Sequence, residues 1–323
     1  MKADARRAGR PAAVAGAGAG LGGLSLGQLR AFVAVAESSS FSAAGERLHL
    51  TPSAISVLIK TLESRLGATL FNRRARRFGI TALGAELLPH VRRVLADLQH
   101  ALALVEQTLA RDRGRVVVAT TPWLAAGLVP DSLAGFRRAM PGIELDLLDI
   151  PAERLASSVI DGDADVAIGT LEAPRAELET IELHRDALML AVPPGHRLAR
   201  VRQATWRSLR DERLVELTPG SGIRALTRQT LASIGLAPAA GPQVNQVSTA
   251  LALVAAGLGV AVLPAFTLRD AEPARCVVLP LARPRVERAI CAIVHRLREP
   301  TPAAAALLAH VERDLPPRLR PRT

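Results

Sequence analysis

Residues 26–81 read LGQLRAFVAVAESSSFSAAGERLHLTPSAISVLIKTLESRLGATLFNRRARRFGIT, and the placing of apolar and capping residues in this stretch decides the fold. Leu29, Phe32, Val33 and Val35 with Ala36 recur at helical spacing and give a first helix one apolar face. Ser40 is placed to cap a second helix carrying Phe41, Ala44 and Leu48. After a break at Leu48-His49-Leu50, Thr51-Pro52 opens a third helix in the favoured order, a hydroxyl cap and then proline. That helix turns Ile55, Leu58 or Ile59, and Leu62 inward, leaving Ser53, Ser56, Val57 and Lys60 outside. Two helices joined by a tight turn, the second presenting small polar side chains and a lysine, form a helix-turn-helix. Arg73, Arg74, Arg76 and Arg77 follow where a wing would meet backbone phosphates or the minor groove. On spacing alone, the alternative is a small helical bundle whose arginines face solvent.

The charge distribution favours the first of these. The chain of 323 residues has a formal charge of +11. Through Arg113 it carries 16 Lys and Arg against 8 Asp and Glu, so most of the positive field belongs to the front third, as contact with a polyanion requires. Aromatic residues make up 2% and tyrosine is absent, which argues against stacking on single-stranded bases. The two cysteines, Cys276 and Cys291, lack ligand spacing and read as small core residues in a reducing compartment, the cytoplasm. Residues 1–24 read as a disordered extension. The uncharged run Ala250–Leu268 is interrupted by Gly257, Gly259 and Pro264, and suits a buried helix, turn and strand better than a membrane span.

Beyond the basic loop, Thr81 is placed to cap a long helix to about Ala110. Leu87, Val91, Val94, Leu98, Ala101 or Leu102, Val105 and Leu109 form a seam suited to a partner helix, and a core helix of a monomer shows the same stripe. From Arg115 short apolar strands alternate with helices, beginning with Val116–Ala119, which predicts a mostly parallel, helix-covered sheet. A last helix is expected from Pro302 to about Glu312.

The opening LxQLRAFVAVAE, the SFSAA-ERL-L helix, SA-IS before IK-LE, and LG--LFNR together resemble the DNA-binding domain of LysR-type transcriptional regulators. Further on, RVVVATTP, FRRAMPGIELDLLD, DGDADVAIG, AVPPGHRLA and LALVAAGLGVAVLP resemble the effector-binding part of the same family. The match departs at Pro52 and Leu58, where the family often has glutamine, and at Val57, where it often has arginine. Those changes bear on which operator is read. The resemblance implies a winged helix-turn-helix at 25–80, a linker and dimerisation helix at 81–113, and a two-lobed α/β, substrate-binding-protein-like domain at 114–312. Lobe one is then 115–190 with 265–312, lobe two is 191–264, and 313–323 is a tail. It also implies double-stranded operator DNA, a small organic effector, RNA polymerase as a candidate partner, and self-association as a dimer or tetramer. A solute-binding protein without a transcriptional role is the alternative.

DNA contact is expected from Thr51, Ser53, Ser56, Lys60, Arg73, Arg74, Arg76 and Arg77, with Thr51 acting as the cap. Ligand pockets in such folds lie at the carboxyl ends of strands and between lobes. Thr120, Thr121, Thr218, Ser221, Ser248 and Thr249 sit at strand ends or helix starts, where hydroxyls and backbone N–H groups suit a small carboxylate. The same residue types are routine helix caps. No cofactor, metal or catalytic residue is expected: seven histidines are dispersed, no phosphate loop occurs, and Val166 occupies the glycine position of a would-be calcium loop from Asp161. The chain does not read as an enzyme.

Overall fold

The computed structural model describes residues 23–72, 78–110, 113–171, 173–219, 221–268 and 275–319. The chain divides between Leu95 and Ala96 into two compact units.

In the first unit every helix begins on a hydroxyl. Helix α1 (Leu26–Ser38) is capped by Ser25 in a reciprocal box with Gln28. Ser40 caps α2 (Phe41–Leu48), and Thr51 caps α3 (Pro52–Leu66) with Pro52 at its first turn. His49, in the left-handed region at φ 54°, ends α2. Gly45 makes the following turn possible, because a Cβ there would lie 2.6 Å from the Leu50 carbonyl oxygen. Phe32, Val35, Ala44, Ile55, Ile59 and Leu62 form the buried centre. The wing pairs β1 (Phe71–Asn72) antiparallel with β2 (Gly79–Ile80). Phe71 and Phe78 stack with centroids 5.5 Å apart, and Phe41 meets Phe78 edge-on at 5.2 Å, so the base of the wing is fixed to the helices. Glu63 of α3 accepts the backbone N–H groups of Leu70 and Phe71 and ties the same joint.

Helix α4 (Ala82–Ala110) contains the unit boundary. Thr81 accepts the Gly84 N–H at 3.0 Å and caps it as expected. Pro89 lies inside the helix. The apolar seam then divides: Val91 is buried in the first unit's core, whereas Leu98, Leu102, Val105 and Leu109 are 41–80% exposed.

The second unit begins with β3 (Gly114–Thr120), α5 (Pro122–Ala126), α6 (Leu128–Ala139) and β4 (Ile143–Asp149). Next come α7 (Leu155–Ile160), β5 (Val166–Gly169) and the long β6 (Leu178–Val192). Then follow β7 (Ala204–Thr205), β8 (Arg213–Leu217), α8 (Gly222–Ser233), β9 (Ala239–Val244) and α9 (Val247–Ala255). The chain closes with β10 (Ala261–Pro264), β11 (Val277–Ala282), β12 (Glu287–His295) and α10 (Pro302–Leu319).

Strand β3 runs parallel to β4 and β5, but β12 lies antiparallel to both β5 and β6. The sheet is therefore mixed, not mostly parallel: β12 runs against its neighbours β5 and β6, and β6 runs against β10 and β11. Strand β6 is the crossing: its first part pairs with β12 through Ala187, and Leu188 to Val192 pair with β10 and β11. The return comes near residue 286 rather than 265. Leu279 and Leu281 of β11 join Leu188, Leu190, Trp206, Leu209, Leu214 and Val262 in the second-lobe core, so β11 belongs there.

Helix α10 also differs from the expected end near Glu312 and from a tail over 313–323. It continues through Pro316 and Pro317 to Leu319. Leu315 and Leu319 extend the buried stripe of Leu307 and Val311. Burying two leucines contributes roughly 3–6 kcal/mol, comparable to the cost of two helix prolines at about 3 kcal/mol each.

Candidate functional site

One site is the outer face of α3. Thr51 fixes its start: the hydroxyl accepts the Ala54 N–H at 3.2 Å and lies 2.9 Å from the Ser53 hydroxyl. Ser53 and Lys60 are exposed, Ser56 is half-buried, and Val57 between them is 61% exposed. Ile55, Ile59 and Leu62 anchor the opposite face. The result is a rigid helix carrying hydroxyls, one isopropyl group and one ammonium outward, a set suited to base edges, thymine methyls and phosphate. Arg73, Arg74, Arg76 and Arg77 lie outside the described residues, as do residues 1–22 of the predicted extension. Behind the face, Glu37 of α1 pairs with Arg47 of α2 and, at 2.6 Å, with Arg92 of α4. Burial alone would raise the Glu37 carboxyl; hydrogen bonds from Arg47 and Arg92 hold it below its ordinary range.

The other site is the seam between the lobes of the second unit. In lobe one, β3 and β5 are parallel and end together, with Thr120 opposite Ile168. Thr120 is completely buried, and its hydroxyl donates to the Ile168 carbonyl at 2.8 Å. It supports the sheet, which corrects its expected role as a ligand contact. Thr121 stands at the N-cap of α5 without a side-chain bond to that helix. In lobe two, β8 and β9 are parallel and also end together, and the Thr218 hydroxyl donates to Asn245 Oδ1 at 2.9 Å. Ser221 occupies the N-cap of α8, again without a side-chain cap bond. Ser248 and Thr249 are exposed in the first turn of α9, whose N-cap residue is Gln246. Thus Thr218, Ser221, Ser248 and Thr249 share the strand-end edge of lobe two, and Thr121 occupies the corresponding edge of lobe one.

Three residues at this seam carried no motif. Trp123 packs against both the lobe-one core and a lobe-two core. Phe266 reaches the lobe-one core, and the Arg288 guanidinium lies 5.8 Å from its ring centroid. Burial pushes Arg288 down to about 10, and the charge of Asp186, its cross-strand neighbour, acts in the opposite direction. The signal available in the sequence was one arginine within ERAICAIVH, at the edge of an apolar strand. A cavity of about 540 Å³ lies elsewhere, lined by Gln107, Asp165, His295, Arg298 and Thr301 among others and by none of the six predicted effector residues. Burial raises the Asp165 carboxyl beside it, against a hydrogen bond from the Val117 N–H.

Among the described residues no helix is long and apolar enough to cross a membrane, and no group of His, Cys, Asp and Glu is arranged to hold a metal.

Comparison with known proteins gives this geometry its family. The model of the bacterial regulatory helix-turn-helix protein of the lysR family matches residues 26–85, and that of the LysR substrate binding domain matches residues 109–316. The uncharacterized HTH-type transcriptional regulator YfeR of Shigella flexneri is 32% identical over 283 residues, 88% of this chain and 92% of that protein. The transcriptional dual regulator GltC of Bacillus subtilis is 30% identical over 282 residues, 87% of this chain and 94% of the relative. Among solved structures, full-length OxyR from Pseudomonas aeruginosa superposes with a TM-score of 0.69 at 22% identity, covering 91% of this chain and 99% of that one. CbnR in complex with its target DNA gives 0.64 at 23% identity, covering 90% and 99%. These two likenesses are of fold. With both family models matched in order along one chain, the protein belongs to the LysR family of transcriptional regulators: a DNA-binding regulator with an effector-binding domain, not an enzyme.

Proposed function

We propose that the protein reads a specific operator through α3 and that a small organic effector, bound between the lobes of the second unit, controls this activity in the cytoplasm. The observation that carries the DNA reading is the rigid outward face of α3, with Ser53, Val57 and Lys60 exposed beside the capping Thr51. In this reading Ser53 and Ser56 meet the major groove, Lys60 meets phosphate, and Arg73, Arg74, Arg76 and Arg77 contact phosphate or the minor groove. A helix carrying Leu98, Leu102, Val105 and Leu109 exposed supports a second copy of the chain along α4, giving a homodimer and from it a tetramer. A dimer would present two recognition helices to a dyad-related operator, where RNA polymerase becomes a partner.

The experiment is a footprint of the full chain on its upstream intergenic DNA at about 0.15 M salt, against scrambled duplex. Lys60→Ala should weaken specific binding by roughly tenfold while leaving the thermal melt unchanged. Equal affinity for scrambled DNA would defeat the operator reading, and unchanged affinity in the variant would remove Lys60 from it. For the effector, the support is the gathering of Thr218, Ser221, Ser248 and Thr249 on one strand-end edge and Thr121 on the other.

A further inference from the structure

The carboxyl ends of β3 and β5 meet the amino end of β12 in lobe one. Gly169 lies opposite Cys291, and the Thr170 hydroxyl donates to the Ala289 carbonyl at 2.9 Å. A Cβ on Gly169 would stand 3.9 Å from Thr121 Cγ2. Arg288 directly precedes Ala289 on this edge, and its guanidinium lies over Phe266, a member of the core against which Trp123 also packs. Arg288 therefore sits at the strand-end edge that carries Thr121, where Trp123 joins the two lobes.

Its chemistry is unusual for that place. Nε of Arg288 is buried with no hydrogen-bond partner among the described residues, although the residue as a whole is only partly buried. Asp186 across the strand pair contributes an opposing charge, but its Oδ1 accepts the Phe266 N–H at 3.2 Å. A guanidinium carries five N–H donors and no acceptor, and enclosing an unmet donor costs stability. A planar carboxylate meets that need, accepting two parallel bonds from the fork. The Thr121 hydroxyl, not used to cap α5, is a second donor nearby.

We propose that Arg288 is the anion anchor of the inter-lobe cleft, and that the effector is a small organic acid whose carboxylate rests on the Arg288 fork with its body towards Thr121 and Trp123. This rests on the reading that the effector occupies the cleft, and the test separates the two.

Full-length protein is titrated by thermal shift and calorimetry with three acid and amide pairs at up to about 10 mM: acetate and acetamide, succinate and succinamide, benzoate and benzamide. At least one acid should stabilise the protein where its amide does not. Arg288→Gln should weaken that acid by about 10- to 100-fold, Arg288→Lys by less, and Thr121→Ala should also weaken it. If Arg288→Gln does not fold, as judged by circular dichroism and DNA binding, the acid–amide contrast and Arg288→Lys decide. Absence of binding by any acid, equal action of acids and amides, or undiminished acid binding to Arg288→Gln overturns the anchor. Neutral amides that bind and are lost only in Thr121→Ala would leave the effector in the cleft without it. An acid whose effect survives both Thr121→Ala and Arg288→Gln would remove the cleft reading as well.

Discussion

In the first unit, Ser25, Ser40, Thr51 and Thr81 each accept the backbone N–H three residues onward at the start of α1 to α4. At the lobe seam of the second unit, Thr121 and Ser221 hold the same N-cap position on α5 and α8 and make no such bond. At the far end of the second unit the pattern returns, where Thr301 accepts the Ala304 N–H and starts α10. The residue types are the same, so the difference lies in what each hydroxyl is used for. A recognition helix must hold one orientation against DNA, and its cap contributes to that rigidity. A cleft hydroxyl that capped its own helix would have less to offer a ligand. On the proposed reading, the contrast separates caps that serve folding from hydroxyls left available to a ligand.

The largest expected effect tests whether the first unit depends on its packed centre. Phe32 is completely buried and its ring lies 5.6 Å from that of Phe71. Phe32→Ala should cost about 3–5 kcal/mol and abolish operator binding. Protection of β3 and β5 amides in hydrogen exchange should remain, since the two units have separate cores. Loss of that protection would mean the units unfold together.

The second test sets two adjacent threonines against each other. Thr120→Val removes the buried bond to Ile168 and should destabilise the second unit by about 1–3 kcal/mol, seen in its melt. Thr121→Ala should change stability by less than about 0.5 kcal/mol and act on ligand binding instead. Equal stability losses would show that both threonines are structural and would erase the contrast.

The third applies the contrast across the units. Thr51→Ala should cost about 1 kcal/mol and weaken operator binding, while Ser221→Ala should cost only a few tenths of a kcal/mol. Denaturant melts of the matched variants measure both. A Ser221→Ala loss as large as that of Thr51→Ala would make it an ordinary cap.

The same contrast explains what could be read without coordinates. Ser40, Thr51-Pro52 and Thr81 were legible because a cap acts on a backbone N–H three residues away, and the cores of α1 to α3 follow a local period. The order of strands and helices after Arg115 was legible for the same reason. Non-local facts were not. That Thr120 is satisfied by Ile168 depends on strands 48 residues apart pairing in one register. That β11 stays with lobe two depends on which face Leu279 and Leu281 find. Arg288 gave a visible signal, a charge at the edge of an apolar strand, but its neighbours Asp186 and Phe266 come from distant segments. The end expected near Glu312 missed the last turns of α10 because the burial of Leu315 and Leu319 is tertiary.

The smallest expected effect concerns Glu37, which joins α1 to α2 through Arg47 and to α4 through Arg92. Burial raises its pKa, but the two arginines outweigh that and hold it below its ordinary 4.5 in the folded unit. A carboxyl depressed on folding contributes stability that is fully present above its unfolded value and is lost as pH falls through the folded one. The contribution is therefore complete at neutral pH and declines below about 4.5. Both arginines meet solvent, so screening limits it to less than about 1 kcal/mol. Urea melts of the first unit at neutral pH and at pH 3.5–5 should show a steeper acid loss in the native chain than in Glu37→Gln, with the two converging once Glu37 is protonated in the folded unit. Raising salt to about 1 M should shrink the difference at neutral pH. Identical pH slopes in the two proteins would mean that α1, α2 and α4 are held by the Phe32 and Val91 core alone.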